Sequence, residues 1–166
     1  LFTFSISFIA VFLISNNLSK SKDDRSYASA NLADYAISIP TNSYTVGDTV
    51  VATITLTPNN NVVSAADLFI TYDPSHLELS SAAPIAPLEE LVSSAEEAGI
   101  YRLAFVVNCT DAGCSTIQAP IEVSQISFKI LIEGSSQIGL DQSRTLTSEV
   151  NTDNISVTGD ITPAII

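Results

Sequence analysis

The feature that most constrains this chain is an alternation of apolar and polar residues with a period of two, repeated in short runs from residue 50 onward. In VVATITLT, Val50, Ala52, Ile54 and Leu56 fall on one side of an extended backbone, and Val51, Thr53, Thr55 and Thr57 on the other. Leu68, Ile70 and Tyr72 repeat the pattern, as do Tyr101, Leu103, Phe105 and Val107, and then Ile126, Phe128, Ile130 and Ile132. Turn chemistry separates the runs: Val46-Gly47-Asp48, Pro58-Asn59-Asn60-Asn61, Asp73-Pro74-Ser75 and Gly134-Ser135-Ser136. A strand with one apolar side must be covered, so strands punctuated this regularly predict two facing sheets around one core. One stretch departs from the rule. PLEELVSSAEEAG, residues 87–99, places Leu88, Leu91, Val92 and Ala95 at helical spacing between a proline and a glycine, which predicts a short helix across an edge or end of the sandwich. Its glutamates, Glu89, Glu90, Glu96 and Glu97, are expected to point outward, either as an acidic contact patch or, more commonly for such residues, as a solvated face.

The first sixteen residues are of a different kind. LFTFSISFIAVFLIS carries no charge and is apolar on every side, which predicts an N-terminal hydrophobic helix. Its length suits a secretory signal peptide, with Ala28-Ser29-Ala30 as a cleavage pattern, and an uncleaved membrane anchor fits equally well. A polar linker over residues 17–34 separates it from the sandwich expected over 35–160, and residues 161–166 are read as a tail or the start of a linker. Contact with a membrane is expected only through the N-terminal segment. The expected location is extracellular or at the cell surface.

Charge narrows the partners. The chain carries a net charge of -12, and after residue 30 its only cations are Arg102, Lys129 and Arg144. Nucleic acid is therefore excluded as an expected partner, because phosphate binding needs clustered Lys and Arg. The two cysteines, Cys109 and Cys114, lie five residues apart in NCTDAGC and are expected to close a small disulfide loop in an oxidising compartment. Zinc would need further Cys or His ligands, and the chain has only His76. His76 is read as an exposed turn residue, with no Ser-His-Asp triad behind it. The carboxylates sit in turns and on polar strand sides rather than across an evident cleft, so no catalytic residue is assigned and the chain is not expected to be an enzyme. Calcium is the one cofactor left open, with Asn151, Asp153 and Asn154 in NTDNIS as candidate ligands and Asp111 in the cysteine loop as another. None of these follows the spacing of a recognised calcium loop, and ordinary turn residues are the commoner reading. Sugar binding has little to stand on, since the chain has no Trp and Tyr27, Tyr35 and Tyr44 lie in or near the linker and first strand.

The order of elements in YTVGDTVVATITLTPNNNVVSAADLFITYDPSHLELSSA resembles the first half of cohesin domains. There a Val-Gly-Asp-Thr turn precedes a Val/Ile/Thr strand, and a later strand ends in Tyr-Asp-Pro and runs on into a Leu-Glu-Leu strand. VSQISFKILIEGSSQIGLD is similar to the penultimate strands of that family. The resemblance covers about residues 35 to 160. It implies an all-β jelly-roll sandwich, here of about nine strands with one short helix, and a non-catalytic role in binding another protein, of dockerin type or a cell-surface partner, through one sheet face. No binding residue is carried over, because recognition of that kind rests on a face without a short motif. The alternatives are a pilin-like subunit of a surface filament packed through the N-terminal helix, and a carbohydrate-binding module of a larger polysaccharide-degrading protein.

Overall fold

A computed structural model of the chain describes residues 32–41, 43–110, 113–150 and 158–166. The expected N-terminal helix lies outside the described residues, as do Asp111, Asn151, Asp153 and Asn154. Among the described residues there are thirteen strands and no helix, arranged as two facing sheets. The first sheet runs in the order β12 (Thr158–Thr162), β1 (Ala33–Ser38), β2 (Thr49–Thr57), β9 (Ile121–Ile130), β4 (Leu77–Pro84). Its pairings are antiparallel except that of β1 with β12. The second runs β13 (Ala164–Ile165), β10 (Gln137–Leu140), β3 (Val63–Thr71), β6 (Ile100–Val107), β5 (Leu88–Glu97), with β11 (Leu146–Glu149) pairing beside β10 on the same edge of β3. A separate hairpin pairs β7 (Cys109–Thr110) with β8 (Gly113–Cys114). The strands outnumber the nine or so expected, several being pieces of two to five residues.

The core lies where the alternation puts it. Val50, Ala52, Ile54 and Leu56 of β2 are all fully buried, facing Leu68 and Ile70 of β3 and Leu103 and Phe105 of β6 from the opposite sheet. On β9 a bulge at Val123 sets two consecutive residues inward, and the buried Ser124 hydroxyl is satisfied by donating to the Ala83 carbonyl at 2.9 Å. The chain changes sheets at both flanks. Ile85 to Pro87 carry it from β4 to β5, and Pro163, which cannot donate to a ladder, divides β12 in one sheet from β13 in the other. Tyr35 of β1 bonds across the gap, its phenol 2.8 Å from the Thr147 hydroxyl of β11.

The helix expected over 87–99 is a β-strand. β5 pairs with β6 along its whole length, from Leu88 opposite Val107 to Glu97 opposite Ile100, but with two extra residues, Leu91 and Glu96, bulged out of the ladder. The inward row runs Leu88, Glu90, Ser93 and Ala95, so the i, i+3, i+4, i+7 spacing of Leu88, Leu91, Val92 and Ala95 joins residues of both faces across the first bulge. The glycine read as a helix stop instead closes a two-residue hairpin, Ala98-Gly99, at φ +80°. Leu88 is buried while Leu91 is exposed, which a helix burying both would not produce. The four glutamates are all exposed, along an edge strand where charge and bulges discourage pairing with other chains.

Candidate functional site

A sandwich without a deep cleft offers its two outer faces, and these differ in chemistry. On the five-stranded sheet the outward rows are small and polar: Ser38, Thr53, Gln125 and Ala83 lie side by side, with Val51, Ser127 and Ser81 in the next row. Lys129 stands between Thr49 and Glu78 in a further row. No aromatic side chain stands in these rows, and Val51 is their one exposed large apolar residue.

The outer face of the six-stranded sheet has a centre. Phe69 of β3 points outward between the inward Leu68 and Ile70, directly opposite Arg102 of β6. Arg102 holds Asp67 with two nitrogens, Nε at 2.9 Å and Nη2 at 2.7 Å from the two carboxylate oxygens, and its guanidinium carbon is 5.6 Å from the Phe69 ring centre. The Asp67 carboxylate raises the Arg102 pKa above its already high ordinary value. Arg144 arrives from the turn between β10 and β11 and stacks over the same ring at 4.1 Å, with Glu97 of β5 at 3.2 Å. The turn is placed by backbone: the Asp141 amide donates to the Phe69 carbonyl, and the Phe69 amide to the Thr145 hydroxyl. Leu146, half exposed, lies in register with Asp67, and Leu91, 63% exposed, sits in the first bulge of β5. An aromatic ring and two arginines are groups enriched at protein interfaces, and the leucines add exposed apolar area beside them. They offer no nucleophile and base within reach of one another.

The residues singled out in the sequence lie elsewhere. Cys109 and Cys114 are joined, pairing across the β7–β8 hairpin beyond the end of β6. His76 is half-buried rather than fully exposed; its Nδ1 lies 2.9 Å from Asp73 Oδ2 and 3.1 Å from the Ser75 hydroxyl, so Asp and Ser meet the same ring nitrogen, whereas a triad needs them on opposite nitrogens. Among the described residues no group of three or more His, Cys, Asp or Glu side chains could hold a metal. The same region contains no helix long and apolar enough to cross a membrane. Phe69, Asp67, Arg102 and Arg144 were missed as a site. The readable signal was an aromatic at an outward position of an alternating strand in a chain with three cations after residue 30, but only the register brings two of those cations to it.

A family model for the cohesin domain matches residues 35–162. The chain belongs to the cohesin domain family. Solved structures agree on the fold. A cohesin module from a family 33 glycoside hydrolase of Clostridium perfringens superposes with a TM-score of 0.69 at 14% identity, covering 82% of this chain and 96% of that one. A type II cohesin from the cellulosome of Acetivibrio cellulolyticus gives 0.64 at 23% identity, covering 81% and 95%. The sixth cohesin of scaffoldin B from the same organism, solved in complex with a Cel5 dockerin mutant, gives 0.59 at 17% identity, covering 78% and 96%. No curated protein matches the chain. The jelly-roll sandwich of this cohesin domain is thus the architecture implied by its Gly-Asp-Thr and Tyr-Asp-Pro turns.

Proposed function

We propose that this cohesin domain is a non-catalytic, extracellular binding module that takes a protein partner of dockerin type on the outer face of its six-stranded sheet. The observation that carries the reading is the convergence of Arg102 and Arg144 on Phe69, with Leu91 and Leu146 exposed beside them, against an opposite face of small polar side chains. Structurally similar cohesins solved with dockerins support a protein as the partner. A sugar-stacking role has less support, since every aromatic side chain among the described residues is buried or half-buried. Secretion or anchoring through residues 1–16 belongs to the same proposal, and intact-mass measurement of the native protein tests it by the presence or loss of that segment.

Binding of the full chain to a panel of dockerin modules tests the face. Leu146→Asp and Phe69→Ala are expected to weaken any dockerin captured by at least about tenfold, the loss of one interface anchor, while Val51→Asp on the opposite face leaves affinity unchanged. The reverse pattern overturns the assignment, and capture of no dockerin overturns the dockerin class.

A further inference from the structure

The charges around Phe69 do not balance, and the excess says what the partner must carry. Both guanidiniums are already engaged by the domain's own carboxylates, Arg102 by Asp67 and Arg144 by Glu97. Glu89 lies on the same face, opposite Val106, and has no hydrogen-bond or ion-pair partner among the described residues; Glu96, in the bulge, accepts from the Ser94 hydroxyl and acts on Arg102 through space. Four carboxylates therefore stand against two cations here, and the third cation after residue 30, Lys129, is on the other face. An acidic partner would find both guanidiniums already neutralised by Asp67 and Glu97 and would meet repulsion from the remaining carboxylates. A basic one gains at Glu89 and Glu96 without breaking anything.

Resting on the binding face assigned above, we propose that the partner is a protein whose contact surface sets Lys and Arg around an apolar centre, and that its encounter with this domain is electrostatically steered. The apolar centre meets Leu91, Leu146 and the Phe69 edge, and the basic rim meets the carboxylates of β5. Charge at the rim of an interface acts chiefly on the rate of association, and the domain's net charge of -12 extends the field beyond the patch.

A displayed library of two-helix modules with a randomised face, selected on the full chain, is the probe. Leu146→Asp, at an exposed position, identifies the binders that use this face. Among those, the expected result is enrichment of Lys and Arg over the unselected library. The on-rate should fall about tenfold between low and high salt, and by a similar factor on Glu89→Gln with Glu96→Gln, while the off-rate changes little. Face-directed binders with no basic enrichment, or on-rates indifferent to both salt and the glutamine variant, overturn the charge proposal and leave the face intact. Binders insensitive to Leu146→Asp throughout overturn the face, and the charge proposal with it.

Discussion

Gly99 has φ +80°, and a Cβ built on it would meet the Tyr72 carbonyl oxygen at 2.5 Å. Its own carbonyl accepts from the Tyr72 amide at 2.9 Å, so the backbone cannot retreat without losing that bond. Gly99→Ala is expected to cost about 2 kcal/mol or more, from the left-handed conformation and the contact together, read from urea midpoints. Three turn aspartates share another device. Asp48 accepts the amide and then the hydroxyl of Thr45, Asp73 the hydroxyl and amide of Ser75, and Asp141 the hydroxyl and amide of Ser143; in each case those bonds hold the carboxyl below its ordinary pKa of 3.8. A pKa lower in the folded than in the unfolded state contributes stability that is whole above the unfolded value and drains as pH falls through the folded one. Stability should therefore decline below about pH 4, and Asp→Asn at the three positions should flatten that decline in chemical denaturation series. Tyr35 marks the opposite environment: burial pushes its phenol pKa upward, and its hydroxyl shares a hydrogen bond with that of Thr147. Tyr35→Phe removes one buried cross-sheet bond and is expected to cost about 1 kcal/mol.

At the scale of the element, β5 shows how bulges disguise a strand. The bulge at Leu91 lets apolar residues of both faces fall at helical spacing, and propensity does not correct the error because Leu, Glu and Ala all favour helices. What decides is β6, whose free edge satisfies the β5 backbone along its length. The strand and helix readings separate in mutation. Leu88→Ala should cost about 2 to 4 kcal/mol as a buried truncation, whereas Leu91→Ala, at an exposed bulge, should stay within about 0.5 kcal/mol. Equal losses at both positions would contradict the strand. By contrast β2, whose four inward residues are buried without exception, was legible in full from its alternation, since one face of a regular strand in a sandwich is always inside.

Over the whole molecule, stability rests on the shared interior and hardly on the disulfide. The Cys109–Cys114 bridge spans a sequence separation of five and closes a hairpin outside both sheets. A loop that short removes little chain entropy, about 2 kcal/mol at most. Reduction should leave a β-type far-ultraviolet spectrum and a cooperative thermal transition; loss of the folded state on reduction would overturn this view. The closure of the sandwich also belongs to this scale. Pro163 and the Ile85–Pro87 corner send the chain from one sheet to the other at opposite flanks, which links strands far apart in sequence into one core.

Alternation and turn chemistry, both local properties, were enough by themselves to determine the all-β sandwich, the inward residues of its regular strands and the cysteine loop, because a period of two and a Gly or Pro at a turn act within a few residues; Ile132, read as inward, lies past the end of β9 and is exposed. Which outer face carries the Phe69–arginine cluster was decided only by tertiary structure. Phe69, Arg102, Arg144 and Glu97 become neighbours through strand order and register across 75 residues of chain (69 to 144), and contact at that separation is set by the pairing of β3 with β6 and the seating of the β10–β11 turn.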